Sequence, residues 1–363
     1  MFRVSFWNLR NRTFVIGAVP VIALVSLMGM PSIPGTSIDL TVPYAAEGKG
    51  PTFNTLGEVQ GKEVVEIDGA DVDETSGNLN MTTVAVRTNM TLVQALGRWL
   101  TTDDTLVPIE QVLPSGKSRE EVQKQNAAAF AASESNATIS AMNYLGKPVE
   151  TMVVEVSEDS PAEGVLRPND IVTHIDGEEI TVPGDLAKKV QDKEPGDEVT
   201  VTVQRQTRTE EFEVELGETP KELRGANDGA KAFLGVTSVA QPAGNVKVRY
   251  NLTDIGGPSA GLMFSMAVVD KLSPGELTGG KFVAGTGTID AKGTVGPIGG
   301  ITHKIAAAKD AGAEVFLVPS KNCAEAVHDK PEGITLIDVE SLDDAVDDLK
   351  AYTSGGSPSL CEG

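Results

Sequence analysis

Two stretches of this sequence hold residues whose types and spacing suit acyl transfer. In the first, residues 254–272 (DIGGPSAGLMFSMAVVDKL), Gly256, Gly257 and Pro258 signal a tight turn and Ser259 follows at once. Leu262, Met263, Met266, Val268, Val269 and Leu272 then predict a mostly apolar, buried helix. A serine at a helix start has orphan backbone N–H groups beside it, and these donors with the positive helix end suit an oxyanion. The same placement equally suits an N-cap serine that bonds the first turn and does no chemistry. A glycine loop cradling phosphate is a third reading. The nucleotide-loop spacing, however, is missing: Gly116-Lys117-Ser118 has Gln111 where the leading glycine belongs.

A serine nucleophile needs a base. His303 is available, but its neighbour Lys304 is better placed. It falls in the first turns of a second apolar helix (KIAAAKDAGA), among Ile301, Ile305 and Ala308. Burial and the positive helix end both disfavour the ammonium form, which moves a lysine towards use as a general base near neutral pH. A lone lysine would by default be a surface residue on an amphipathic helix. The combination with Ser259 argues otherwise.

Together the two stretches resemble the proteolytic domain of the Lon family, whose Ser–Lys dyad lies in a Gly-Pro-Ser-Ala-Gly motif and a downstream Pro-Ile-Gly-Gly-x-x-x-Lys motif. Here these read Gly257-Pro258-Ser259-Ala260-Gly261 and Pro297-Ile298-Gly299-Gly300-Ile301-Thr302-His303-Lys304, with 45 positions between serine and lysine. The likeness runs over residues 233–319. It implies Ser259 as nucleophile, Lys304 as base, Thr286 as the hydroxyl that positions the amine, and Gly257, Pro258, Ala260 and Gly261 as the active-site loop. Gly256 replaces the Asp that ATP-dependent members carry before Gly-Pro-Ser. With no nucleotide motif and no length for an unfoldase module, the expectation is cleavage without ATP or other cofactor, of polypeptide already unfolded or extended.

The elements around these motifs fall into an α+β arrangement. Residues 152–216 read strand, turn, strand, an Asp176-Gly177 hairpin signal, helix, then two strands. With SPAEGVLRPNDIVTHIDGEEI at 160–180 this resembles a PDZ domain. The resemblance implies an extended peptide added to the sheet edge beside the second helix, which here carries Leu186 and Val190. Asn169 stands where the family has glycine. A carboxylate-binding loop is not evident beyond Tyr144-Leu145-Gly146, so Leu145 is the candidate there; a PDZ-shaped spacer with no ligand is the plainer alternative. The order anchor, PDZ, Lon-type domain resembles the membrane-anchored PDZ–Lon proteases of Gram-positive bacteria.

The anchor is residues 14–30, an uncharged apolar run of 17 residues preceded by Arg3, Arg10 and Arg12. That is enough for a short transmembrane helix with its N-terminus in the cytoplasm and the body extracytoplasmic. A cleaved signal peptide, with a weak site at Gly35-Thr36-Ser37, is the alternative. The chain has 363 residues, 52 Asp and Glu against 30 Lys and Arg, and a net charge of −22, which repels phosphate backbones and argues against nucleic-acid partners. Its two cysteines, Cys323 and Cys361, are free to pair in an oxidising compartment or to stay reduced. Few Cys and His argue against a metal site.

The expected organisation is residues 1–35 as stub and anchor, 36–117 as a strand-rich N-terminal segment, 118–146 as a helical connector, 147–217 as the PDZ-like domain, 218–353 as the Lon-type proteolytic domain and 354–363 as a tail. Residues 217–229 are expected to be a linker. The function expected is a membrane-anchored, ATP-independent serine endopeptidase acting outside the cytoplasm, with homo-oligomerisation left open. The rivals are a catalytically silent PDZ adaptor at the cell surface and a protein that uses the same dyad only on itself.

Overall fold

A computed structural model describes residues 9–114, 116–220, 224, 229–253 and 255–362, and for 9–16 the backbone only. The helices described are α1 (Leu9–Met28), α2 (Leu92–Thr101), α3 (Ile109–Val112), α4 (Arg119–Tyr144), α5 (Pro183–Gln191), α6 (Gly261–Leu272), α7 (Ile301–Asp310), α8 (Cys323–His328) and α9 (Leu342–Thr353).

Residues 315–319 read Val-Phe-Leu-Val-Pro, and all five are buried. An unbroken apolar run of this length is what a strand covered on both faces requires. Its side chains alternate between two cores: Val315 and Leu317 pack with α4, α6 and α9, while Phe316 and Val318 pack with α7 and α8. The strand lies in a six-stranded sheet ordered Thr335–Val339, Val315–Pro319, Phe282–Gly285, Asn78–Arg87, Tyr44–Asn54, Thr105–Pro108. The first four run parallel and the last two pairings are antiparallel.

This sheet corrects the expected partition. Residues 36–117 are not a separate strand-rich unit, because three of their strands complete the sheet that holds Phe282–Gly285. The expected helical connector 118–146 is helical, but it packs into the core of this body. It is one helix, α4, started by a capping box of Ser118 and Glu121 and buried along Ala137–Met142.

The chain leaves this body at the end of α4, forms a second sheet, and returns where Lys247–Tyr250 pairs with Val65–Asp68. The second sheet is antiparallel, ordered Arg208–Glu215, Glu198–Arg205, Ile171–Ile175, Val149–Val156, Val236–Pro242. It encloses its own core of Val153, Val172, Val201, Leu186 and Val190 among others. The element order expected for 152–216 is present. Asp176 and Gly177 both take positive φ at the hairpin, and Asn169, where the family has glycine, sits at φ 73, a region asparagine tolerates better than most residues. The unit also takes an edge strand from beyond the expected boundary at 217, so it is an insertion into the proteolytic body rather than a bead before it. Of the expected linker 217–229, residues 221–223 and 225–228 lie outside the described residues.

Cys323 and Cys361 are disulfide-bonded, with Cα atoms 5.1 Å apart. The expected tail is therefore pinned: Ser359 O accepts from Asp338 N–H, and Cys361 N–H donates to Leu336 O. α1 covers most of the apolar run and exposes Val19, Val21, Ile22, Leu24 and Val25. Among the described residues no helix is long and apolar enough to cross a membrane. Arg3 lies outside them, and the side chains of Arg10 and Arg12 are not described.

Candidate active site

The strand Phe282–Gly285 separates α6 on one face of the sheet from α7 on the other, and it stops at Gly285. Beyond that end, in the crevice outside the carboxyl ends of the parallel strands, the two helix starts come together. Thr286, the next residue, lies between them and is fully buried.

Ser259 precedes α6, whose N-cap is Ala260 with no side-chain cap bond, so the N-cap reading of the serine does not hold. Its hydroxyl lies 2.9 Å from the Lys304 amine instead. The Lys304 amine also donates to Thr286 Oγ1 at 2.9 Å, and that hydroxyl donates to the Ser259 carbonyl at 3.1 Å. Gly287 N–H donates to the same carbonyl at 3.0 Å. The backbone of the nucleophile and the amine of the base are thus tied through one threonine. The amides of Ser259 and Ala260 make no hydrogen bond among the described residues, which leaves two donors beside the hydroxyl for an oxyanion.

The loop before the serine needs its glycines. Gly257 has φ 89, and a Cβ on Gly261 would come within 2.8 Å of both Ile289 Cγ2 and Ser133 Oγ. Asp254, where the nucleophile segment begins in the sequence, lies outside the described residues.

Lys304 is in the first turn of α7, 3% exposed. Burial pulls its amine down from 10.5 to about 8. A second buried lysine shows what is special here. Lys271 reaches Glu63 at 2.6 Å and the Val65 carbonyl at 2.6 Å, a structural pair, whereas Lys304 makes no ion pair among the described residues. His303 turns to Thr105 Oγ1 at 3.0 Å and takes no part.

The dyad opens into a cavity of about 870 Å³ walled by Phe53, Met81, Val84, Phe130, Ile255 and Ile298 among others, with Lys304 the one ionisable residue among the described residues of its lining. Sequence reasoning missed the contribution of α4. Asn126 O accepts from Gly257 N–H at 2.9 Å, Ser133 Oγ donates to Pro258 O at 3.0 Å, and Phe130 lines the cavity. No local signal marks these residues, since their partners lie more than a hundred positions away.

Leu145 does not belong to a peptide groove. It is the C-cap residue of α4, packed against the core of the proteolytic body. Leu186 and Val190 are buried in the inserted unit, on α5, beside Ala232–Phe233 and the edge strand Val236–Pro242. The turn into that edge strand is Phe233-Leu234-Gly235, with Gly235 at φ 87 and no room for a Cβ against Ser160. It comes after the rest of the unit in sequence, whereas Tyr144-Leu145-Gly146 comes before it.

The fold and the paired Ser259 and Lys304 define a serine hydrolase of the Ser–Lys type on an α/β body with an inserted antiparallel-sheet module. Residues 122–216 match the PDZ domain and residues 245–350 match the Lon protease (S16) C-terminal proteolytic domain, so the chain carries a Lon-type serine protease domain together with a PDZ domain. It is 28% identical over 144 residues to Lon protease 2 of Bacillus subtilis, covering 38% of this chain and 26% of that protein. It is 36% identical over 107 residues to the Lon protease of Phenylobacterium zucineum, covering 28% and 13%. It is 32% identical over 110 residues to the archaeal Lon protease of Methanothermobacter thermautotrophicus, covering 30% and 16%. The chain thus spans about a quarter or less of these relatives. The PDZ domain of the SdrC-like protein from Listeria monocytogenes aligns at 25% identity over 24% of this chain and 86% of its own, with a TM-score of 0.22.

Proposed function

We propose that this chain is an endopeptidase in which Ser259 attacks a peptide carbonyl and Lys304 is its base. The observation that carries the reading is the 2.9 Å separation of the two groups, with the lysine buried and shifted to about 8. Thr286 spends its proton on the Ser259 carbonyl and its lone pair on one N–H of the amine. The amine lone pair is then left for the serine proton. Attack moves that proton to Lys304 Nζ, and the tetrahedral oxyanion is held by the Ser259 and Ala260 amides. The ammonium next protonates the leaving amine as the C–N bond breaks, giving an acyl-enzyme. Water attacks that ester with Lys304 again as base, and free acid and serine are restored.

Cleavage without ATP belongs to this reading: Gly256 stands where ATP-dependent members carry Asp before Gly-Pro-Ser. Preference for unfolded or extended polypeptide is supported by the place of the dyad within a cavity of about 870 Å³ walled by apolar side chains such as Phe53, Met81 and Phe130, which suits an extended segment. The membrane anchor is supported by the apolar run at 14–30, the arginines before it and the outward apolar side chains of α1. The extracytoplasmic body is supported by that topology and by the Cys323–Cys361 bond, which an oxidising compartment favours. Homo-oligomerisation is supported by α2, which turns Leu92, Val93, Leu96, Trp99 and Leu100 outward, the last two 63% and 70% exposed. In the PDZ unit the proposed peptide site is the edge Val236–Pro242 beside α5. The dyad geometry favours the enzyme over a silent adaptor.

The test incubates the chain with an unstructured protein, without nucleotide, beside Ser259→Ala and Lys304→Ala, and reads new termini by mass spectrometry. Cleavage by the parent alone supports the reading. Equal cleavage by all three would mean a contaminant or a wrong site.

A further inference from the structure

The lysine side of the cleft is walled by Pro297, Ile298 and Gly299. This wall is a loop. The strand before it, Val295–Gly296, is two residues long and pairs with Thr288–Ile289, with Val295 N–H also donating to Glu340 O at 2.8 Å, and the loop ends at Gly300, where α7 begins. A short loop with no ladder of its own needs an outside partner to hold one shape.

That partner is Asn322, 24 positions downstream, at the end of the 3-10 turn Ser320–Asn322. Its Oδ1 accepts from Ile298 N–H at 2.9 Å, and its Nδ2 donates to Ile298 O at 3.0 Å. Asn322 is 5% exposed, so water does not compete for these bonds. A planar carboxamide with both ends spent on one residue's backbone fixes place and orientation together, as a strand rung would. Its own position is well supported: it follows the buried strand Val315–Pro319 and precedes Cys323, which is bonded to Cys361.

We infer that Asn322 is a positioning residue for substrate. It sets the Pro297, Ile298 and Gly299 wall against which a bound polypeptide lies, and it acts on binding rather than on proton transfer. The distinction rests on how Lys304 is held. The lysine has its own restraints: its amide donates to Gly300 O at 3.1 Å, and its amine is held by Ser259 and Thr286. The inference depends on the endopeptidase reading, so its test must separate the two.

The full chain, Asn322→Ala and Asn322→Asp are compared in two assays. One follows labelling of Ser259 by phenylmethylsulfonyl fluoride, in which the serine oxygen displaces fluoride and which needs the dyad but not the peptide wall. The other measures kcat and KM on an unstructured fluorogenic peptide across pH. We expect labelling within about twofold of the parent, an unchanged pH midpoint, and KM raised about tenfold or more in both variants, since Ala loses both buried bonds and Asp sets an oxygen against Ile298 O in place of the donor. Unchanged KM would overturn the inference. So would labelling that slows in step with peptide cleavage, which would place Asn322 in the support of the dyad. If Asn322→Ala does not fold, the Asp variant, of equal size, carries the comparison. If the parent itself is neither labelled at Ser259 nor cleaves, the Ser–Lys reading fails and this inference with it.

Discussion

Lys304 Nζ and Ser259 Oγ, 45 positions apart in the chain, lie 2.9 Å apart with no carboxylate paired to the lysine among the described residues. Lys271, buried nearly as deeply on α6, is neutralised by Glu63 at 2.6 Å. One chain therefore holds a buried lysine paired with a carboxylate and a buried lysine that burial alone disposes to give up its proton. The second arrangement costs stability and gives reactivity in return.

Removing either dyad member should lower kcat/KM on an unstructured peptide by about 10²–10⁴-fold, the range for loss of a nucleophile's activation. Lys304→Arg should fall as far as Lys304→Ala, because a guanidinium keeps its proton at any working pH. An Arg variant with near-parent activity in steady-state cleavage would show that the charge, not the base, is needed.

The pH dependence has a definite sign. Lys304 works as the free amine, so kcat/KM should rise about tenfold per pH unit well below its value of about 8 and level off above it. Stability follows the same group by linkage. The folded value lies below the unfolded 10.5, so between about 8 and 10.5 the unfolded chain binds more proton and stability rises with pH. Below about 8 the whole penalty is present, roughly 3 kcal/mol at about 1.4 kcal/mol per unit. Lys304→Met should therefore raise stability near pH 7 by a large part of that amount and by little at pH 11. Urea melts at the two pH values check both points.

Thr286→Val keeps the shape and removes the hydroxyl that joins the Lys304 amine to the Ser259 carbonyl. About tenfold loss in kcat is expected, with KM little changed, as for one buried hydrogen bond lost from the reacting set. Thr286→Ser should restore most of it. Steady-state kinetics on both variants distinguish the hydrogen bond from the packing.

The Cys323–Cys361 bond closes a loop over 38 positions. Cys323→Ser with Cys361→Ser should lower stability by about 2–4 kcal/mol. It should also free the segment around Leu360 from its bridge to Ile337. Amide exchange at Asp338 and Cys361, both donors into this contact, should become fast.

The chemistry was legible in the sequence because it is written in local patterns. Gly257, Pro258 and Ser259 must be contiguous to turn sharply into a helix, and Gly300 must precede Lys304 closely to start the next one. Asp176-Gly177 announced a hairpin. The partition of the chain was not legible. Tyr44–Asn54 and Asn78–Arg87 read as an independent strand-rich segment because their alternation says that they pair, not with what. Leu145 looked like a groove residue because it stands next to a glycine, and the helix that buries it is not visible from that pair.

By itself, then, the sequence marked Ser259 and Lys304 as able to serve as nucleophile and base, through the turn and the helix starts around them, while the positioning role of Thr286 came only from the resemblance to the Lon-type motifs. Only the tertiary structure decided that Thr286 sits between helices from opposite faces of one sheet. It also decided that α4 supports the nucleophile loop through Asn126 and Ser133, and that Asn322 grips Ile298. These contacts join positions 18 to 125 or more apart, and such long-range pairings arise from how whole elements pack, for which no local pattern carries the information.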